Sequence, residues 1–463
     1  MKARFFLACC AGLLLWAGFA PLELWIAPVL GLAMLFFILA EQGFKNRSGL
    51  AFVAALTYFL PLLHWSSTYV GALPWLILAV GESLIFTIIA AVPMPKNVAG
   101  VMRFASLFTI VELMRMKLPF GGFGWGRIGF TQIESLAFYY PIFGVTGITF
   151  AVAFCAGFAV LRKPNILLFL TLFLISFWFT ADKTSSSAGL KIIAVQGGVT
   201  NLGLDFNSRA LEVLNRHIDA TPRGGRADLI IWPENSVDID PRYNFKAREA
   251  LDSLLQDVGT PLLTGTVERG DKGPKNSSLL YKPDGTLMAR YVKQDLAPFG
   301  EYIPFRFIAE RVSPLATRVR DFMPGGNWVP MQINGWKFQS FICFEILDDD
   351  HIKSGAKGMD FVIAQTNNAT FGDSSQAAQQ LQISRARAAE LGKQMAVVST
   401  TGYTAHLGSD GAVIAKLKQF KPGYLEMNMD KAKLDSFASR INTLHWALGL
   451  LILLTLSVVR ISR

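Results

Sequence analysis

A thiol, an amine and a carboxylate, each at the end of an apolar run, stand out in the second half of this chain. Glu234 closes ADLIIWPE (227–234), Lys293 follows a hairpin strand in ARYVKQDLAPFGEYIP, and Cys343 lies near the end of WKFQSFICFEI (336–346). In open α/β sheets, reacting groups gather at the carboxyl ends of strands. These three suffice for covalent acyl chemistry. The thiolate is the nucleophile, and a free thiol with a pKa of about 8.5 needs activation. A carboxylate can take the proton as general base. A lysine nearby can favour the thiolate and then stabilise the oxyanion of a tetrahedral intermediate. Glu301, after Pro298-Phe299-Gly300, is a candidate second acid. Glu345 is two residues beyond Cys343 and is expected on the same face of a strand. Each residue has a plainer reading: a strand cysteine is commonly inert packing, a lone lysine is commonly solvated, and a glutamate after proline can cap a helix.

The elements that must position these groups follow from the pattern around them. LKIIAVQGG, ADLIIWPE, TPLLTGTVE (260–268), WKFQSFICFEI and MDFVIAQTNN (359–368) read as strands. SLLYKPDGTLMARYVK reads as a hairpin turning at Pro283-Asp284-Gly285, and a second hairpin turns at Ser409-Asp410-Gly411. Helical stretches are expected over 206–220, 247–258 and 376–392. Strands with interspersed helices imply a layered α/β domain over 190–436. The five histidines are scattered, and no HExxH and no phosphate-binding glycine loop occurs. The pattern suggests neither a metal site nor a Ser-His-Asp triad.

The rest of the chain has another character. The whole is 52% hydrophobic and 17% charged, with mean hydropathy +0.36, where an average soluble domain is about a quarter charged. Apolar runs at 5–20, 24–40, 49–66, 72–93, 101–114, 137–161, 165–181 and 443–459 are candidate membrane helices, against the about 20 residues that a span needs. The expected division is a membrane domain of about seven helices (1–181), a linker rich in small polar residues (182–189), the α/β domain (190–436), and a C-terminal helix with a cytoplasmic tail (443–463). The first run has no evident cleavage site and reads as an uncleaved helix. Lys2, Arg4, Lys45, Arg47, Lys96, Arg103, Arg162, Lys163, Arg460 and Arg463 fall in alternate loops, with Arg115, Lys117 and Arg127 breaking the pattern. The positive-inside rule then places the α/β domain outside the cytoplasm. The net charge of +10 is mostly a topology signal, and no clustered basic-aromatic array argues for nucleic acid. Cys9, Cys10 and Cys155 lie in the spans, which leaves Cys343 as the single thiol of the exported domain. Exported domains normally pair or avoid cysteine, so a lone one is a candidate reactive group. Within the spans, Glu82 and Glu112 are costly charges, and Arg115, one turn after Glu112, is the expected structural partner.

Taken together, IIWPENS, YVKQDLAPFGEYIPF, FICFEI and QTNNATFGD resemble the four signature segments of the nitrilase (carbon–nitrogen hydrolase) superfamily. With the preceding helices, GFAPLELW, VELMR and GGFGWGRIGFTQ, the whole chain resembles the apolipoprotein N-acyltransferase family within it. That resemblance implies an αββα sandwich with Glu234 as general base, Lys293 as electrostatic partner and Cys343 as nucleophile, supported by Glu301 and Glu345. It implies transfer of a fatty acyl group from a membrane phospholipid, through a cysteine thioester, to the N-terminal amine of an S-diacylglyceryl-cysteine apolipoprotein. This would be the last step of lipoprotein maturation, in the bacterial cytoplasmic membrane, by a monomer without cofactor or metal. Phe344 stands where many relatives have tyrosine, Asn368 and Thr370 where many have aspartate and tryptophan, and TNLGLDF lacks a tryptophan found in some. An amidase that transfers the acyl group to water would use the same three groups.

Overall fold

The spacing of apolar residues changes along the chain, and the architecture changes with it. A computed structural model describes residues 1–69, 71–161, 189–199, 211–224, 226–312, 317, 319–432 and 434–459. The chain divides into two units, Met1–Lys183 with Ser436–Arg463, and Thr184–Asp435.

The first unit is helical among its described residues. Its longer helices are Lys2–Ala17, Ile26–Leu39, Phe44–Leu62, Ala72–Phe86, Val98–Lys117, Tyr140–Val160 and Thr443–Val459. Two stretches, Ala72–Ala90 and Ile128–Val160, are long and apolar enough to cross a membrane, while Ile26–Leu39 and Thr443–Val459 are shorter apolar helices. The expected span 165–181, nearly all of the linker 182–189 and the basic residues 162, 163, 460 and 463 lie outside the described residues. Leu30, Phe37, Ile77, Leu84, Leu451 and Ile452 are exposed. A water-facing helix would turn polar residues outward, so these faces suit lipid.

The interior of this unit carries charge, and the pairing differs from the expected one. Arg115 pairs with Glu82, not with Glu112, and its guanidinium also donates to Trp125 O at 2.8 Å. Glu112 accepts from Ile128 N and from Thr149 Oγ1, each at 2.7 Å, and lies 3.8 Å from Arg127 Nε. The two residues share a helix but reach different neighbours. Charges taken out of water must find partners wherever the packing offers them, and here the partners come from other segments.

Among its described residues, the second unit holds two six-stranded sheets. The strands are β1 (Leu190–Gln196), β2 (Leu229–Ile231), β3 (Leu262–Glu268), β4 (Lys275–Tyr281), β5 (Leu287–Val292), β6 (Met331–Ile333), β7 (Trp336–Ile342), β8 (Phe361–Thr366), β9 (Met395–Ser399), β10 (Ala405–Leu407), β11 (Val413–Lys416) and β12 (Gly423–Met429). The sheet orders are β12-β1-β2-β3-β4-β5 and β11-β10-β9-β8-β7-β6. In each, the centre is parallel (β1-β2-β3 and β7-β8-β9) and antiparallel pairings complete the edges, β12 joining β1 from the far end of the unit. Both hairpins expected from their turns are present, β4-β5 and β10-β11.

Alternation of side chains explains the layering. Ile192, Ala194, Leu229, Ile231, Leu263 and Leu280 of one sheet form a single core with Phe338, Ile342, Phe361, Ile363, Ala396 and Val398 of the other. The intervening residues of the first sheet, Ile193, Val195, Ile230 and Trp232, pack outward with Leu251, Leu254 and Leu255 of the helix Phe245–Val258. On the second sheet, the helices Asp349–Ala356 and Gln376–Leu391 lie against β7 and β9. Each fully buried Leu, Ile or Phe contributes about 1.5–3 kcal/mol, and β1, β2, β3 and β4 are held by separate cores on their two faces.

Candidate active site

Glu234, Lys293 and Glu301 meet around one side chain that the sequence reading missed. Asn276, on β4, donates from Nδ2 to Glu234 Oε1 at 2.7 Å and to Glu301 Oε1 at 2.9 Å. Lys293 Nζ lies 2.8 Å from Glu301 Oε2 and 3.8 Å from Glu234 Oε1. The second oxygen of Glu234 accepts from Asn367 N at 2.8 Å, just past β8, and Glu301 Oε2 also accepts from Ala297 N at 2.8 Å. All four side chains are buried, with Lys293 only 1% exposed.

Backbone geometry places each member. Glu234 leaves β2 in a loop that crosses Gly265 of β3, where a Cβ would come within 2.6 Å of the Glu234 Cα. Glycine at 265 is therefore what allows the close approach. Lys293 extends the β4-β5 ladder by one residue, donating from its N–H to Asn276 O at 2.8 Å, and Gly325 N donates to its carbonyl at 2.7 Å. Cys343 follows β7 directly with φ 53° and begins a 3₁₀ turn, Cys343–Leu347. A positive φ at a non-glycine residue is strained and recurs at functional sites. Gln380 Nε2 approaches the Cys343 carbonyl at 3.4 Å.

That turn corrects the expected placement of Glu345. It does not share a strand face with Cys343. The chain coils after Ile342, and the carboxylate folds back so that Oε2 accepts from Ile342 N at 2.7 Å. Its Oε1 accepts from Tyr291 Oη and from Gln294 N, each at 2.7 Å. Glu345 thus ties the residue before Cys343 to the residue after Lys293. His351 Nε2 lies 3.2 Å from the same oxygen, and its Nδ1 lies 3.1 Å from Asp295 Oδ2.

The electrostatics separate the groups by role. Burial, with Glu301 adding to it, raises the Glu234 carboxyl above its ordinary value while Lys293 offsets part of the rise. Burial alone would lower Lys293, but Glu301 and Glu234 outweigh it and hold the ammonium well above its usual range. Burial, then the charge of Glu234, pushes the Cys343 thiol up to about 12, against the pull of Lys293. At rest the arrangement is a neutral thiol, an ammonium and, at Glu234, a carboxylate that is a better base than a solvent-exposed one. Burial raises the Glu345 carboxyl, but His351 and the Ile342 N–H prevail and hold it below its ordinary value, so it stays charged.

The residues that sequence reasoning missed are neutral or lie in unremarkable strings. Asn276 sits in KNSSLLY with no charge to mark it. Gln380 lies on the helix Gln376–Leu391, where it meets Thr366 and Asn368 at 2.9 and 2.8 Å. Replacing Asn276 by alanine removes the donor shared by two buried carboxylates. A hydrogen bond to a charged group contributes about 1.5–3 kcal/mol. Asn276→Ala is therefore expected to lower stability by about 2–4 kcal/mol in urea unfolding. An unchanged midpoint would show that the amide does not hold the pair.

Two family models match the chain: the apolipoprotein N-acyltransferase N-terminal domain over residues 11–158 and carbon–nitrogen hydrolase over residues 202–439. An apolipoprotein N-acyltransferase of Mycolicibacterium smegmatis is 31% identical over 473 aligned residues, covering 92% of this chain and 79% of the relative. That of Haemophilus influenzae is 28% identical, covering 99% and 95%, and that of Vibrio cholerae 27%, covering 88% of each. Among solved structures, a mutant of an amidase of the nitrilase superfamily from Nesterenkonia is similar at 19% identity and a TM-score of 0.42, covering 56% of this chain and 97% of that one.

Proposed function

The chain belongs to the apolipoprotein N-acyltransferase family, and from that premise we propose that it transfers a fatty acyl group from a membrane phospholipid, through a thioester on Cys343, to the α-amine of an S-diacylglyceryl-cysteine apolipoprotein. The observation that carries this reading is the closed set of Glu234, Lys293 and Glu301, with Cys343 in electrostatic reach of all three.

The reaction runs in two halves. Glu234 takes the thiol proton as Cys343 Sγ attacks the acyl ester carbon. The raised basicity of Glu234 suits a general base for a thiol that is neutral at rest. Lys293, fixed as an ammonium, balances the thiolate and then the oxyanion. The C–O bond of the ester breaks, Glu234 returns the proton to the departing alkoxide, and a lysophospholipid leaves. In the second half, the free α-amine attacks the thioester carbon, the C–S bond breaks, and an amide forms as the thiol recovers its proton. Glu301 and Glu345 do not touch the acyl group in this scheme. They fix the position of Lys293 and of the turn at Cys343.

In the same reading the helical unit is a multi-pass anchor of eight spans in the bacterial cytoplasmic membrane, with the α/β domain expected over residues 190–436 on the extracytoplasmic side. Tethering raises the effective concentration of two lipid-anchored substrates. Phe299 and Phe305 in the loop after Lys293, and Phe307 on the helix Arg306–Val312 that follows, are all exposed and suit contact with acyl chains.

The test is mass spectrometry of the purified protein after incubation with phospholipid. A hydroxylamine-sensitive acyl adduct on Cys343, absent from Cys343→Ala, is expected. No adduct with any phospholipid, together with hydrolysis of a small amide, would replace the acyltransferase by an amidase.

A further inference from the structure

We propose that His351, as an imidazolium between Glu345 and Asp295, is a positioning residue that locks the Lys293 segment to the turn of Cys343. The inference rests on the reading of Lys293 and Cys343 as reacting groups. His351 touches neither.

Its two ring nitrogens face carboxylates on either side, Glu345 Oε1 at 3.2 Å from Nε2 and Asp295 Oδ2 at 3.1 Å from Nδ1. Only the doubly protonated ring donates from both nitrogens. Glu345 belongs to the turn that opens at Cys343, and Asp295 lies two residues beyond Lys293. The ring therefore closes the same junction that Glu345 makes with the N–H groups of Ile342 and Gln294. Trp328 holds the ring in place, with centroids 4.3 Å apart, and is itself stacked on Tyr291. The remaining charged and titratable neighbours agree with a cation. Tyr291 Oη is 3.5 Å from Nε2, and Asp348, which caps the helix of His351, adds a third negative charge. On that helix, Asp349 is paired with Arg387 and Lys353 with Glu390, so neither competes for the ring.

Burial disfavours the imidazolium, but Glu345 and then Asp295 outweigh it, and the folded pKa lies above the ordinary value. The sign follows. The clamp is fully formed below about pH 6.5, the unfolded value, and is lost as pH rises through the higher folded value. Loss of the proton leaves one carboxylate without its donor, and Lys293 is then held less closely to the thiol.

The experiment follows two rates in the full-length protein: alkylation of Cys343 by iodoacetamide, read on its own peptide by mass spectrometry, and acyl-adduct formation from phospholipid vesicles. Both are measured from mildly acidic to alkaline pH. In wild type, alkylation should rise with pH and break to a shallower slope above about pH 6.5, where the clamp opens. His351→Gln should react about ten- to a hundredfold more slowly at the acidic end, since small misplacements of reacting groups carry penalties of that order, and should show no break. Asp295→Asn, at a side chain 41% exposed and so without risk to the core, should move the break to lower pH. Coincident profiles for wild type and His351→Gln, or a break unmoved by Asp295→Asn, would overturn the clamp. If wild type takes no acyl group from phospholipid but its alkylation breaks as described, the acyltransferase reading fails and the clamp stands. Acyl transfer with coincident profiles is the reverse result.

Discussion

Lys293→Met is expected to abolish acyl-adduct formation and to lower stability by about 3–5 kcal/mol, the cost of removing one partner from a buried ion pair. Methionine matches the length of the lysine stem, so packing is nearly conserved and the change is one of charge. What remains is Glu234 and Glu301 on the two sides of a single Asn276 amide, buried and without a cation. Like charges so placed cannot both stay ionised. The pair would retain a proton shared between them and titrate as a unit. Glu234 then spends much of its time protonated at neutral pH and fails as a base, while the oxyanion has lost its charge partner. Those two losses are each on the order of 10²–10³-fold. The double variant Lys293→Met with Glu301→Gln separates the effects. Removing one carboxylate should recover much of the stability and none of the activity, as read by thermal midpoint and by the acyl adduct. A stable, active Lys293→Met protein would show that the ammonium neither balances the carboxylates nor serves the reaction.

The asymmetry between what the sequence discloses and what it hides has a physical basis. Strands with apolar alternation bounded by turn residues announce themselves, which is why 190–196, 262–268 and 336–342 and both hairpins could be read directly. Charged residues at strand ends stand out for the same reason, because a charge beside a buried strand is costly unless it has a use. The partners of those charges are hidden. Asn276 meets Glu234 across 42 positions, Glu345 meets Tyr291 across 54, and Gln365 reaches Trp232 O at 2.6 Å across 133. The first follows from the order of strands within one sheet and the other two from the stacking of one sheet on the other, and a single sequence carries no mark of which positions will face each other. Local conformation deceived in one place. The strand pattern of WKFQSFICFEI runs unbroken through Glu345, yet the chain leaves the sheet at Ile342, because Cys343 adopts a positive φ and the Glu345 carboxylate caps the Ile342 N–H. In the helical unit the same limit applied to Glu112 and Arg115. Their spacing on one helix suggested a pair, while the packing offered each a better partner elsewhere.

Glu345→Gln tests that turn from the other side, and its expected signature differs from that of Lys293→Met. The carboxylate is fully buried and accepts from Ile342 N, Gln294 N and Tyr291 Oη, with His351 beside it. A carboxylate accepts at both oxygens, whereas an amide presents donors at one end. Whichever way the glutamine lies, its NH₂ group faces an N–H or an O–H that then loses its acceptor. The imidazolium also loses its buried counter-charge. A loss of about 3–5 kcal/mol is expected, together with a large fall in the rate of acyl-adduct formation, because the segments bearing Lys293 and Cys343 are no longer tied. The pH dependence supplies the sign. Against the burial that raises it, His351 and the Ile342 N–H depress the Glu345 carboxyl. Its contribution is therefore present above the ordinary carboxylate value of about 4.3 and is lost as pH falls through the lower folded value. The variant should accordingly lose less stability than wild type on acidification across that window. Amide hydrogen exchange distinguishes the two substitutions. In Glu345→Gln one of the two N–H groups, Ile342 or Gln294, whichever the NH₂ end of the amide faces, should exchange faster, since its acceptor is gone. In Lys293→Met both should keep their protection, since neither bonds to the lysine. Protection unchanged in Glu345→Gln would mean that the backbone alone holds the turn, and the carboxylate would then be free for a direct part in the chemistry.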